Sequence, residues 1–171
     1  MPRLVAATAS AACLLALVAG VAFVPAGAPA PPAGSRVVSI FAPRCVGNDC
    51  SRVLPLRRRV AAPALLRGAM RALLAGPTRA ERTRGYGGWF SVGTAGRLRS
   101  VRIAHNVAFV DFHDFSRVIP NASTSCGSAL LLAQLDRTAK QFPDVHRTVY
   151  SFDGSRRAFY EWLQLEAPQT R

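Results

Sequence analysis

The sequence predicts an α+β domain, a layered sandwich in which two helices pack on a mixed, mostly antiparallel sheet in the order β-β-α-β-β-α-β. Three observations carry this expectation. Short β-branched and aromatic runs recur at residues 37–41, 52–60, 101–103, 107–112 and 145–152. Two longer segments change to helical spacing, one through Leu66, Met70, Leu73 and Leu74, the other through Leu132, Leu135, Ala139 and Phe142. Turn formers separate these segments, and helices alternating with neighbouring strands pack naturally as layers. At 171 residues, half of them hydrophobic, the chain suffices for one packed core and not for two.

Ahead of the domain, residues 4–24 carry no charge and follow Arg3. This reads as an export signal, but its 21 residues exceed the ~7–15 of a cleavable signal core and reach the ~20 that span a bilayer, so an uncleaved anchor fits equally. Ser10-Ala-Ala-Cys13 offers a faint lipidation site, with Ser where such a site usually has Leu. The expected organisation is a leader at 1–26, a Pro/Ala/Gly linker at 27–35, the domain at 36–165 and a tail at 166–171. In either case the domain lies outside the cytoplasm, membrane-anchored or secreted.

The elements are justified in order. Residues 37–41, "VVSIF", form a strand, and "APRCVGNDCS" is a loop. "RVLPLRRRV" at 52–60 resumes an extended pattern as the second arm of a loose hairpin, with Pro55 best placed on an edge. Pro63 suits the first turn of the next helix, Gly76 the left-handed position past its end, and Pro77 forbids continuation. Thr78 and Glu81 match a capping box that opens a second, short helix ending at Gly85. Tyr86, Trp89 and Phe90 follow within "YGGWF": aromatics that fold back over the core edge, or an exposed binding lip. Val101 and Ile103 alternate with Arg102, and Asn106 turns the chain into "VAFVDF". Ser123, Thr124 and Ser125 each suit the cap of the next helix, which Pro143 ends. After the strand at 145–152, Asp153-Gly154 makes a turn, and "RRAFYEWLQL" is either a short strand or a helical turn.

The net charge of +13 is almost wholly arginine, with Lys140 the single lysine. Such a surface attracts polyanions in a salt-dependent way. For an exported protein this means anionic cell-wall polymers or lipid surfaces; nucleic acid is not expected, and no RNA-binding aromatic motif accompanies the basic residues. Arg57, Arg58 and Arg59 are the candidate contact, against the plainer reading of a solvated strand face.

No G-x-S-x-G elbow, H-E-x-x-H, P-loop or G-x-G-x-x-G fingerprint occurs. The one dense polar cluster is Asp111, His113 and Asp114. In an extended chain Asp111 and His113 share a face while Asp114 points away. Acid/base chemistry there is the minor reading, and a strand end holding a turn the major one. No cofactor and no metal site are expected. Of the exported cysteines, Cys45, Cys50 and Cys126, at most one pair can bridge, and Cys45–Cys50 is the local possibility.

The succession "RVLPLRRRV", "LLRGAMRALLAGPTRAERTRGY", "GRLRSVRIAHNVAFVDF", "STSCGSALLLAQLDRTAKQFPDVHRTVYSFDG" resembles the GerMN domain, the sporulation and spore germination family, over about residues 37–154. The resemblance implies an extracytoplasmic α+β domain with no established enzymatic activity, similar in fold to ring-building modules of secretion machinery. Its relatives include proteins that help assemble envelope complexes during sporulation, so the implied partners are envelope proteins, in homo- or hetero-oligomers, with the membrane reached through an uncleaved leader. Members often carry one cysteine before the Pro-containing strand and one before the second helix, which implies a Cys50–Cys126 bridge. The sequence departs by adding Cys45 and by replacing the family's small Ile-Pro turn with "GGWFSVG". On this reading "LLAGPTRAER" is a corner of the fold, and "YGGWF" is where specific recognition is expected.

Overall fold

The computed structural model describes residues 34–44 and 52–169. The leader, Cys45 and Cys50 lie outside them. Among the described residues no helix is long and apolar enough to cross a membrane.

The fold is α+β, as the sequence predicts, with the sheet divided in two. β1 (Ser35–Pro43) and β2 (Val53–Ala61) form an antiparallel pair. β3 (Leu98–Ala104), β4 (Val107–Phe112) and β5 (Arg147–Phe152) form a three-stranded sheet in that order, β3 antiparallel and β5 parallel to β4. The helices are α1 (Leu65–Leu74), α2 (Arg79–Arg82), α3 (Ser125–Ala139) and α4 (Arg156–Trp162). A parallel neighbour requires a crossover, and α3 supplies it between β4 and β5.

Local chemistry sets most element ends. Gly76 takes φ +74° past α1, and Thr78 with Glu81 closes both halves of the capping box on α2. His105 and Asn106 adopt φ +48° and +57° in the two-residue loop between β3 and β4, the conformation that matches the right-handed twist of a hairpin. Thr124 caps α3 through Gly127 N–H, and Ser155 caps α4 through Ala158 N–H. The final segment is therefore a helix. Pro63, expected in the first turn of α1, precedes a helix that starts at Leu65, and α3 ends at Ala139, before Pro143.

The core lies between the layers. Ile40, Leu56, Met70, Leu73 and Leu74 meet Val110, Phe112, Leu131 and Leu135, all buried. At the α4 end Phe112, Phe115, Tyr150, Phe152, Phe159 and Trp162 pack ring against ring, with centroids such as Phe115–Phe152 at 4.9 Å. Helix α3 buries more than the expected stripe. Leu131, Gln134 and Thr138 are fully enclosed with Leu135 and Ala139, because α3 packs against β1 and α1 as well as crossing between strands.

Thr138 in the last turn of that helix and Gln141 just past its end have a task. Ser39 and Phe41 point their N–H groups away from β2, into Gln141 Oε1 at 2.8 Å and Thr138 Oγ1 at 3.1 Å. Gln141 Nε2 donates back to Ser39 O at 2.7 Å. The outer edge of β1 is thus completed by side chains, whereas among the described residues no strand pairs with the other side of β2, where Val53 O and Arg57 O accept from the side chains of Arg137 and Arg58.

Candidate functional site

The aromatic segment after α2 is built as a clasp. Tyr86 bridges to Arg44 at the end of β1, Gly87 N–H donates to Pro43 O at 2.9 Å, and the Arg44 guanidinium lies 5.7 Å above the Tyr86 ring. Gly88 holds φ +129°, and a Cβ there would stand 2.4 Å from Gln134 Oε1. Phe90 is buried and meets Phe115 edge-on at 6.2 Å. Trp89 is half-buried against the core, with its Nε1 enclosed and without a partner among the described residues. Of the three expected recognition residues, Tyr86 and Trp89 retain some surface and Phe90 retains almost none. The most exposed apolar side chain of the loop is Val92, at 89%, a residue that the sequence reading passed over because a lone valine carries no periodic signal.

The arginine run separates by strand alternation. Arg58 falls on the inner face with Leu56 and Val60, and its guanidinium grips Glu81 through both oxygens, at 2.7 and 2.6 Å. Those hydrogen bonds, with the Thr78 N–H and the charge of Arg58, outweigh burial and lower the Glu81 pKa to about 2. Arg58 is consequently a structural residue. Arg57 and Arg59 are exposed on the other face. Arg59 also borders an open groove of about 460 Å³ between β2 and α1, lined with Arg67 and Arg71.

The Asp111, His113 and Asp114 cluster is drawn into the ends of the three-stranded sheet. Asp111 accepts from Ser151 Oγ at 2.7 Å, Gly154 N–H at 2.8 Å and Arg99 at 2.8 Å. Burial opposes its ionisation, but these bonds together hold its carboxyl below the usual range. His113 Nδ1 lies 3.1 Å from Asp153 Oδ1, so Asp111 and His113 both hold the Asp153-Gly154 turn, and Arg99 lies between Asp111 and Asp153; the Asp114 carboxylate instead accepts from Ser116 N–H. A second polar cluster, with no motif to mark it, gathers on α3: Asp136 Oδ1 accepts from Thr148 and from Tyr150, both at 2.7 Å, and Lys140 pairs with Oδ2. Burial and the neighbouring carboxylate push the Tyr150 hydroxyl well above its ordinary pKa, keeping it a donor. Among the described residues no three His, Cys, Asp or Glu side chains are grouped to hold a metal ion. Cys126 is an exposed thiol at the start of α3, and the bridge implied for it involves Cys50, outside the described residues.

A divided sheet crossed by helices, a closed aromatic clasp and a basic free strand edge define a small α+β domain of the kind that presents surfaces more than clefts. Residues 44–157 match the family Germane, sporulation and spore germination, and the chain belongs to that family. Among solved structures the fold is similar to the tandem GerMN domains of the sporulation protein GerM from Bacillus subtilis, with TM-score 0.55 and 12% identity, over 76% of this chain and 43% of that one. This chain therefore spans less than half of that tandem structure. A candidate lipoprotein from Clostridium perfringens is also similar, at 17% identity and TM-score 0.41, over 71% of this chain and 77% of that one. No curated protein matches.

Proposed function

We propose that the chain is a non-enzymatic, extracytoplasmic domain of the cell envelope, a protein-interaction or assembly module working in a sporulation- or germination-related setting. The observation that carries this reading is the disposition of its polar groups. Asp111 and His113 are spent on the Asp153-Gly154 turn and Asp114 on Ser116 N–H, whereas among the described residues no strand pairs with the β2 edge beside Arg57 and Arg59. The uncharged residues 4–24 support export and attachment to the membrane, and the family match over residues 44–157 supports the sporulation- or germination-related setting.

Crosslinking in intact cells tests it, followed by recovery of the tagged full chain at low and high salt. A small set of envelope proteins that persists at high salt is the expected result. Recovery of anionic wall polymers alone, lost as salt rises, would replace the assembly reading with a polymer-binding one, which the exposed arginines favour.

A further inference from the structure

We propose that the groove between β2 and α1 takes an extended, acidic segment of a partner polypeptide, added as a further strand to the β2 edge. This rests on the interaction reading above and names the surface and the chemistry of the partner.

The backbone argument comes from register. In an antiparallel pair, residues directly opposite one another turn their N–H groups either both inward or both outward. Ser39 and Phe41 point away from β2, as their bonds to Gln141 and Thr138 establish. Their partners across the pair, Arg57 and Pro55, therefore point away from β1, and alternation adds Arg59 and Ala61. Among the described residues no strand pairs with that side of β2. Pro55 has no N–H to offer, so the usable donors are Arg57, Arg59 and Ala61, one every ~6.8 Å, the repeat of an added strand. Residues 59–61 form one wall of the groove.

The opposite wall is α1. Gly68 lets the helix approach so closely that a Cβ on it would stand 2.7 Å from Val60 Cβ. This leaves a low floor of Val60, Ala64, Gly68 and Ala72. Arg67 and Arg71, one turn apart on the helix, stand beside that floor, and Arg59 borders it from the strand with its side chain on the opposite face; among the described residues none of the three has an ion-pair partner. Glu81 is held by Arg58, and Asp144, beyond Arg67 in the adjoining groove, lies in no ion pair with it.

Charge selects the occupant. A second copy of the same edge would set Arg57 and Arg59 against like charges, which opposes pairing. A wall polymer would meet the arginines but has no backbone to match the alternating donors and acceptors of the strand. An acidic peptide satisfies both.

The test uses the full chain in uncharged detergent and a fluorescein-labelled, blocked peptide of alternating Glu and Val. The Glu peptide should bind, and its Lys counterpart should not. N-methylation of alternate residues on the pairing edge should abolish binding, and hydrogen exchange at Arg59 and Ala61 should slow on binding. Arg67→Glu together with Arg71→Glu should weaken binding by about tenfold or more with an unchanged melting temperature, and should restore binding of the Lys peptide. Equal binding of the N-methylated peptide, unaltered exchange at Arg59 and Ala61, or indifference to the charge reversal would each overturn the proposal. So would a soluble anionic wall polymer that binds as well as the peptide. If the double variant still captures the same protein partners in cells, the interaction function stands and the groove is wrong. If peptide binding holds but no protein partners are captured, the groove stands and the assembly reading fails.

Discussion

At Glu81 two local demands meet in one side chain. Its carboxylate closes the cap on α2 by accepting from Thr78 N–H at 2.7 Å, and it neutralises Arg58 on the inner face of β2. Removing it leaves a largely buried guanidinium and an uncapped helix, so Glu81→Ala should cost about 2–4 kcal/mol in chemical denaturation at neutral pH. Because folding lowers this carboxyl from 4.5 to about 2, the stability it contributes is complete above pH 4.5 and is lost as pH falls through about 2. Wild-type and Glu81→Ala stabilities should therefore converge across that window; a constant difference would show that the pair does not act through ionisation. Gly76 is the second residue-scale test. It combines φ +74° with a Cβ position 2.2 Å from Phe90 O, a backbone atom that cannot swing aside. Gly76→Ala should lose more than about 2 kcal/mol, above the ~1 kcal/mol that positive φ alone explains.

At the scale of elements, the edge of β1 depends on α3. Thr138 and Gln141 replace a missing neighbour strand, and nothing in a hydrophobic pattern announces such a role for polar residues. The combined change Thr138→Val and Gln141→Ala should destabilise by about 1–3 kcal/mol for each backbone group left unpaired. It should also accelerate amide exchange at Ser39 and Phe41 while leaving β4 and β5 unaffected. Exchange that rises equally everywhere would mean that the two side chains serve the core and not the edge. The division into two sheets follows from the same arrangement, because a helix stands where continuous pairing would place a strand. The β3–β4 hairpin, by contrast, was readable from Asn106 and the alternation around it.

At the scale of the whole molecule, α4 closes the aromatic end of the core. Phe159 is fully buried and contacts the rings of Phe112, Tyr150, Phe152 and Trp162. Phe159→Ala should cost about 3–5 kcal/mol. A chain ending after Gly154 should lose its near-ultraviolet circular dichroism and its cooperative unfolding transition, and retention of both would show that α4 is an accessory. The aromatics of "RRAFYEWLQL" signal burial from sequence. Their helical form was not readable, because the segment fits either period and Ser155 acts as a cap only once the Asp153-Gly154 turn is in place.

Local chemistry in the sequence by itself determined the α+β class, the stop, turn and recap around Gly76, Thr78 and Glu81, the hairpin at Asn106 and the resemblance to the family. Each of these depends on residues close along the chain, where capping, φ preference and periodicity act directly. Only the tertiary structure decided that Arg58 belongs to Glu81 while Arg57 and Arg59 are exposed on the other face, that Phe90 is covered while Val92 is bare, and that Asp111 and His113 close on the same distant turn at Asp153-Gly154. Those outcomes depend on which face of each strand meets which distant partner, 23 residues away for Arg58 and Glu81 and 102 for Ser39 and Gln141. Pairing over such distances is set by packing of the whole core, so no local pattern encodes it.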